Sequence, residues 1–173
     1  TAADLGLAGI SVAANEATGA DLVKLFDGIA LSELRDGNSL SLRSGLPDLT
    51  VNFRNGSSLD IDLDPSATDP PKTLGALVDR INAADNTRLS AAISADGKHI
   101  ELTDLTSGGG SFAVASPLGG SLAEELGLTN SAVGGTITSN RLISGLKTTL
   151  VGSLSGGRGL GTLGVLNLTD RSG

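Results

Sequence analysis

The chain repeats part of itself at a distance of about 120 residues, far beyond the roughly 20 to 50 residues of a solenoid repeat. Residues 3–40 return in order, in a looser form, as residues 123–160. At one constant offset, Leu22, Val23, Phe26, Leu34, Gly37 and Leu40 are matched by Leu142, Ile143, Leu146, Leu154, Gly157 and Leu160. This domain-sized period predicts a tandem array. Residues 1–40 would close one unit and link it onward, 41–128 would form a complete unit, and 129–173 would link it to the start of the next.

The composition restricts the kind of core that this chain can build. Hydrophobic residues make up 39% of the 173, but there are only 3 Phe and no Trp, Tyr, Met or Cys. The core must therefore consist mainly of aliphatic side chains, while disulfides and cysteine-ligated zinc are excluded. The 25 glycines favour short strands joined by frequent turns over long helices.

Charge and hydropathy argue against two kinds of partner. The net charge of −7 argues against nucleic acid, whose phosphates require a basic surface. No stretch approaches the ~18 continuous apolar residues of a membrane span, so we expect no membrane insertion. Because the chain contains no Met, even at its first position, we expect it to be cut from a longer polypeptide, with any targeting signal outside it.

Two alternating runs around Asn55-Gly56 predict the first hairpin. Apolar residues stand at positions 49, 51 and 53, and again at 59, 61 and 63. A two-residue loop would set Phe53 opposite Ser58 and place the two apolar sets on opposite faces. A three-residue loop containing Gly56 puts both sets on one face, so we expect a bulged hairpin.

Residues 73–85 have the periodicity of an amphipathic helix. Thr73 is a suitable N-cap, and the apolar residues follow at i, i+3, i+4 and i+7 as Leu74, Leu77, Val78 and Ile81. We expect a helix of about three turns that ends near Asn82 to Asp85.

A second alternating pair surrounds Asp96-Gly97. A two-residue type I′ loop there brings Ile93 opposite Ile100 and Ala91 opposite Leu102. His99, the only histidine, would then lie opposite Ser94 on the polar face, beside Glu101. We interpret His99 as a solvated hairpin residue, not as a catalytic base.

The rest of the unit is shorter and less regular. After Gly108-Gly109-Gly110 we expect a short strand at 111–115, and then a capping box at 121–124 that opens a helix ending at Gly127. Residues 8–40 and 129–160 are ambiguous between strand and helix, and we favour irregular strands with a helical turn near 146–154. The predicted fold is α+β: short-stranded antiparallel hairpins with one amphipathic helix packed on a face, in a tandemly repeated module.

Residues 49–128 resemble the flagellin hook IN motif, which is named for its Ile-Asn pair, here Ile81-Asn82. The resemblance is carried, in order along the chain, by Leu74, Leu77, Val78, Ile81, Asn82, Asp96, Gly97, Leu126, Gly127 and Leu128. The motif occurs in the outer domains of flagellins, filament cap proteins and hook-associated proteins. The chain lacks the long heptad helices by which flagellar axial proteins polymerise, so the resemblance implies an outer-surface portion.

The resemblance implies an extracellular structural part of the bacterial flagellum that contributes to assembly and motility. Its partners would be other subunits of the filament, cap or hook junction, with self-association as a further option. It implies no catalytic residue, cofactor or metal. In physical terms, Asn82 could satisfy free carbonyls at the helix end or adopt a left-handed cap, Ile81 would pack the helix on the sheet, and Gly97 permits a positive φ.

Other patterns are weaker signals of chemistry. Residues 159–164 match GxGxxG, but a predicted strand follows them, so we interpret them as a Gly-rich turn. Asp60, Asp62 and Asp64 would share a strand face about 6 to 7 Å apart, which is too far for one calcium ion. The main alternative function is an adhesin-type repeat of a bacterial cell-surface protein that binds glycan or host protein. The helix at 73–84 argues against it, because adhesin repeats usually have Ig-like strand spacing and no embedded helix.

Overall fold

The computed structural model describes residues 24–143 and, before them, the backbone of residues 12–13 and 16–17. Its fold is α+β, with small antiparallel sheets and short helices, which confirms the predicted fold class. In chain order the described elements are β1 (Val12–Ala13), β2 (Glu16–Ala17), a 3-10 turn (Leu31–Glu33), α1 (Leu34–Gly37), β3 (Leu49–Asn52), β4 (Ser58–Ile61), α2 (Leu74–Ala84), β5 (Leu89–Ile93), β6 (Ile100–Asp104), β7 (Ala113–Ala115), α3 (Leu122–Leu126) and β8 (Thr136–Thr138).

The first three-stranded sheet has the order β4-β3-β7, and its hairpin has the predicted three-residue loop. Val51 lies opposite Leu59, and the N–H of Phe53 donates to the Ser57 carbonyl at 2.9 Å. Gly56 has a φ of 85° and donates its N–H back to the Phe53 carbonyl. The loop therefore comprises residues 54–56, and the odd count puts both apolar sets on the core side.

The second three-stranded sheet has the order β5-β6-β8. The predicted register is confirmed, since Ile93 pairs with Ile100 and Ala91 with Leu102. The predicted type I′ loop is wrong, because that turn needs positive φ at both central residues and Asp96 does not have it. Instead the Gly97 N–H donates to the Ser94 carbonyl and closes a turn within a four-residue loop at 95–98.

A two-residue loop and a four-residue loop give the same strand register, because the longer loop takes one residue from the end of each strand. Ile93 therefore still pairs with Ile100. The side chain of Ser94 explains why the shorter loop does not form. Its hydroxyl accepts the N–H of His99 at 3.0 Å, and the Asp96 carboxylate accepts the N–H of Lys98 at 3.0 Å. The Ser94 N–H still donates to the His99 carbonyl at 2.9 Å, so the ladder ends at this pair, and the side-chain bonds hold the N–H groups that follow the turn.

Helix α2 begins and packs as its periodicity predicts. The Thr73 hydroxyl accepts the N–H of Ala76 at 3.3 Å, which confirms the N-cap. The buried face consists of Leu74, Leu77, Val78 and Ile81. At 11 residues α2 is the longest described helix, and no helix in the described residues is long and apolar enough to cross a membrane.

Helix α3 ends as predicted but begins differently. Gly127 has a φ of 65°, and the Leu128 N–H donates to the Ala123 carbonyl in a Schellman-type cap. The predicted capping box is wrong, because the Ser121 hydroxyl donates to Glu125 and caps no backbone N–H. The Ala123 N–H donates instead to the Ser116 hydroxyl, just beyond β7. A tertiary partner has taken the place of the local one.

One core runs through the described residues from Leu25 to Leu142. Leu25, Ile29, Leu31 and Leu34 precede the predicted complete unit, yet all are buried. On the far side of the unit Leu142 is also buried, and its carbonyl accepts the N–H of Arg35 at 2.7 Å. The proposed division at 40 and 128 remains a prediction.

The tandem array also remains a prediction, because the described part of each copy, 24–40 or 123–143, matches a part of the other copy whose side chains lie outside the described residues. Leu22, Val23, Leu146 and Leu154 fall there, as does the predicted turn at 146–154. The described part of the first copy gives the repeat limited support. Leu25 and Ile29 are core residues, but the constant offset matches them to Gly145 and Thr149, which cannot fill the same space. Phe26, matched to Leu146, is 61% exposed.

Candidate functional site

Asn82 of the Ile-Asn pair joins α2 to the sheet. Its side-chain amide donates to the Ala91 carbonyl at 2.9 Å, and its amide oxygen accepts the Ala91 N–H at 2.7 Å. Since β5 is an edge strand, these two Ala91 groups would otherwise lack a strand partner. The Asn82 side-chain amide therefore makes the two hydrogen bonds to Ala91 that a neighbouring strand would otherwise make. Neither expected role of Asn82 is found, because α2 continues to Ala84 and Asn82 has no positive φ.

The other motif residues do not converge on one site. Leu74, Leu77, Val78, Ile81, Leu126 and Leu128 are core residues. Gly97 has a φ of 69° and lies against the Lys24 side chain, while a Cβ on Gly127 would lie 2.4 Å from the Asn140 side chain. Asp96 is exposed, and the Ser94 hydroxyl and the Lys98 N–H lower its pKa. Each of these residues therefore either packs in the core or stabilises a local backbone conformation.

An ion pair between the two sheets was not predicted from the sequence. Asp104 is 2% exposed, and its carboxylate accepts both the backbone N–H of Arg54 at 2.7 Å and its Nε at 3.2 Å. Burial raises the pKa of Asp104, but the hydrogen bonds from Arg54 and Thr106 outweigh it and lower the pKa below its ordinary value. The sequence did contain a signal. Asp104 continues the buried alternation of Ile100 and Leu102, so its carboxylate required a partner.

Asp48 is a second buried carboxylate, placed just before β3. It is 1% exposed and accepts the N–H of Arg43 at 2.7 Å and the N–H of Leu63 at 2.8 Å. Burial raises its pKa above the ordinary value, although both N–H donors lower it. Asp48 thereby ties the loop before β3 to the residues that follow β4.

Arg88 links the start of β5 to the first hairpin. Its guanidinium lies 4.9 Å from the centre of the Phe53 ring, and Phe53 stacks in turn on Phe112 at 6.3 Å. Nε of Arg88 also donates to Asp85 at 2.6 Å. The Thr87 hydroxyl and then Arg88 lower the pKa of Asp85 to about 2. Two of the three Phe residues and this cation therefore stabilise the junction between the sheets.

An open cleft of about 490 Å³ lies where the first residues of β7 face the loop before β8. We call it the Arg54 cleft. It is lined by Arg54, Gly110, Ser111, Phe112, Ala113, Thr129, Asn130, Ser131, Ala132 and Gly135. Its surface combines hydroxyl and amide groups with one guanidinium, which suits polar or anionic groups better than a purely apolar ligand.

His99 is less solvated than predicted. It is half-buried, and its Nδ1 lies 2.8 Å from the Ser139 carbonyl. A carbonyl only accepts, so Nδ1 carries the proton in this contact. Ser94 is also not on a solvated face, since it is 8% exposed. Its hydroxyl donates to Asp96 and not to His99, so the three side chains do not form a nucleophile-base pair.

The three alternating aspartates are held separately. β4 ends at Ile61, so only Asp60 lies on the strand. Asp60 accepts the Thr50 hydroxyl, Asp62 accepts the Asp64 N–H, and Asp64 accepts groups of Ser66. Across the described residues no group of three or more His, Asp or Glu is placed to hold a metal ion. The GxGxxG match at 159–164 lies outside that part of the chain.

We expect calcium to screen this acidic surface without a specific site. Isothermal titration should show no saturable heat for the unmodified chain, and Asp62→Ala should behave identically. Stoichiometric micromolar binding that disappears in Asp62→Ala would contradict this prediction.

No family model, curated protein or solved structure matches the chain. The likeness to the hook IN motif therefore remains a resemblance carried by the residue pattern between Leu74 and Leu128.

Proposed function

We propose that this chain is a structural, non-catalytic, surface-exposed module of a bacterial flagellar axial protein of the hook-associated, cap or flagellin type. It would work outside the cell, beside other subunits of the filament, cap or hook junction, and contribute to assembly and motility. The observation that carries the proposal is the Ile81-Asn82 pair, in which Ile81 is fully buried and Asn82 makes both hydrogen bonds to Ala91.

The use of the other motif residues supports a structural role. The apolar members lie in the core, and Gly97 and Gly127 adopt positive φ at a turn and a helix end. Because these motif residues serve the fold, the exposed residues around them can differ without loss of the fold. This suits a module whose outer surface contacts different neighbours. Acidic, cysteine-free composition is compatible with an exported surface part.

The proposal can be tested in the bacterium that carries the full-length gene. Leu77→Asp, which puts a charge in the core, should reduce spreading in soft agar and leave flagella short, unstable or absent in electron micrographs. Asp79→Ala, two residues away on the exposed face of α2, is the matched control and should swim normally. Antibody raised against this chain should label flagella.

The Arg54 cleft favours the adhesin-type repeat as a second candidate, because its hydroxyl, amide and guanidinium groups suit a glycan or a polar peptide. The same experiment separates the two. The adhesin would be favoured if Leu77→Asp leaves flagella and swimming normal but reduces attachment to host cells. The antibody would then label the cell body and not the flagella. A full-length sequence that ends in a cell-wall sorting signal, without flanking heptad helices, would also favour the adhesin.

A further inference from the structure

The tip of the first hairpin brings together the groups that an asparagine needs to lose its side-chain amide. Asn55 is exposed and is followed by Gly56, which is exposed as well. The Asn55 Oδ1 accepts the N–H of Ser57 at 2.9 Å and its hydroxyl at 2.7 Å. The ring closed by the first of these bonds contains both the Asn55 Cγ and the Gly56 nitrogen, so one tight turn holds an electrophile and a nucleophile.

We propose that Asn55 is a site of spontaneous covalent modification, at which the side chain deamidates through a succinimide. The Gly56 nitrogen attacks the Asn55 Cγ, so that a new N–C bond forms and the Cγ–Nδ2 bond breaks. The proton of the Gly56 N–H passes to solvent base, and Nδ2 takes a proton from water and leaves as ammonia. Water then opens the ring at either carbonyl, which gives aspartate or its β-linked isomer, isoaspartate, at position 55.

Ser57 supports the attack by placing two donors on the oxygen where negative charge develops. When the nitrogen adds to Cγ, Oδ1 becomes an oxyanion, and donors already aimed at such an oxygen stabilise it. Space is available for the ring, because a Cβ on Gly56 would meet no atom within 4 Å beyond its chain neighbours. The Gly56 N–H donates to the Phe53 carbonyl at 3.0 Å, and this bond must open before the attack. Since the attacking amide loses its proton, the rate should rise with pH.

Two further turns of this kind lack one requirement each. Asp64 accepts the N–H and hydroxyl of Ser66, but the residue between them is Pro65, which has no N–H to lose. Asp85 accepts the N–H and hydroxyl of Thr87, and that hydroxyl lowers its pKa to about 2. The side chain of Asp85 is therefore an ionised carboxylate, which resists nucleophiles and carries no amide to lose.

The tip of the second hairpin provides the closest comparison, because it also has a glycine after a residue of this type. The Asp96 carboxylate accepts the N–H of Lys98 at 3.0 Å, two residues further on. The Ser94 hydroxyl lowers the pKa of Asp96, so the carboxylate is ionised at neutral pH and reacts poorly with a nucleophile. The following glycine is also crowded, since a Cβ on Gly97 would lie 3.0 Å from the Lys24 side chain. Of these two tips, the first should react and the second should not.

Both products change the outer surface at the first hairpin. Aspartate adds a negative charge to a chain whose net charge is already −7. Isoaspartate also inserts an extra carbon into the backbone of the loop 54–56, next to Arg54, whose N–H donates to buried Asp104. An older molecule would therefore be more acidic at this tip and would hold the loop less well against the second sheet.

Incubation of the purified full chain at neutral and at mildly alkaline pH tests the site. Isoaspartate is labelled with an isoaspartate methyltransferase and located by peptide mass spectrometry. We expect at least about tenfold more at position 55 than at position 96, because the Asp96 carboxyl is almost wholly ionised at neutral pH. Ser57→Ala should slow the reaction at position 55 by roughly threefold, since it removes one donor to the oxyanion. Ser66→Ala, in the corresponding turn after β4, is the matched control and should not change that rate.

The same chain denatured in urea is the reference for the effect of the fold. Equal amounts of isoaspartate at positions 55 and 96 overturn the proposal. So does a rate at position 55 far below that of the denatured chain, because the hairpin would then protect Asn55. An unchanged rate in Ser57→Ala, with folding verified by circular dichroism, overturns the part assigned to the turn. These measurements do not involve swimming, so the modification and the flagellar proposal can fail independently.

Discussion

At the scale of single residues, the described fold depends on polar side chains that replace or complete backbone hydrogen bonding. Asn82 supplies both a donor and an acceptor to Ala91, and Asp104 and Asp48 each accept backbone N–H groups from distant segments. All three are at least partly buried, so losing a partner leaves a polar group without water. Such residues should be sensitive to small chemical changes.

Asn82→Ala should lower the free energy of unfolding by about 1 to 3 kcal/mol, because both Ala91 groups lose their partner. Asn82→Asp should also destabilise, since a carboxylate can accept the Ala91 N–H but repels the carbonyl. Urea unfolding followed by circular dichroism measures both, as the chain has no Trp or Tyr for fluorescence. Exposed Asn86→Ala is the control. If Asn82→Ala and Asn86→Ala share a midpoint, the pairing with Ala91 contributes nothing.

Asp104 should make the protein less stable in acid. Its pKa is lower in the folded than in the unfolded chain, so its contribution is fully present above the unfolded pKa of about 3.9. The contribution is lost as the pH falls through the lower, folded value. Asp104→Asn should be less stable than the unmodified chain at pH 7, and the difference should shrink towards pH 3. A difference that stays constant with pH would exclude this role for the carboxylate.

At the scale of elements, the periodicity of the apolar residues and the odd or even length of each hairpin loop decide which residues of a segment face the core. An odd loop was required at Gly56 because apolar positions had to share a face, and the loop has three residues. At Gly97 an even loop was required, and both the predicted two residues and the observed four satisfy that condition. Parity therefore specifies the face of a strand, whereas local side-chain bonds choose the loop length.

Leu77→Ala tests the buried face of α2. Leu77 is fully buried, so lost transfer energy and a residual cavity should cost roughly 2 to 5 kcal/mol. Asp79→Ala lies on the exposed face and should cost far less. The two denaturant midpoints give the answer, and equal midpoints would mean that the helix face is wrongly placed.

At the scale of the whole described molecule, residues before the predicted unit complete its core. Leu34 is fully buried, and the next two residues of α1, Arg35 and Asp36, have left-handed conformations, with φ of 55° and 59°. The segment α1 is therefore an irregular turn and not a regular right-handed helix. Left-handed conformations cost about 1 to 3 kcal/mol each for residues other than glycine. The bond from Arg35 to the Leu142 carbonyl and the burial of Leu34 offset part of that cost.

Leu34→Ala should therefore destabilise the entire described fold by about 2 to 5 kcal/mol, not only the leading segment. Unfolding monitored by circular dichroism and by hydrogen exchange at β6 should shift together. Fully exposed Leu118→Ala should leave both unchanged. If β6 keeps its protection in Leu34→Ala, residues 24–40 are an independent linker, as their place before the predicted unit at 41–128 suggests.

The part of this protein that the sequence determines by itself is its local periodic structure. The buried face of α2, the two hairpin registers and the Gly127 helix end all follow from spacings within about ten residues. Period and parity act through neighbouring residues, so they can be read without knowing what packs against them.

Tertiary structure alone decided which distant groups meet. Arg54 and Asp104 are 50 residues apart in the sequence. At the start of α3, the Ala123 N–H donates to the hydroxyl of Ser116 and not to that of the predicted cap, Ser121. Asn82 does not cap its helix as predicted, because its side chain bonds to the backbone of Ala91 on the edge strand β5. A buried polar group requires a partner, and the sequence signals that need, as at Asp104. The identity of the partner depends on which segments pack together, and that is determined only when the whole chain has folded.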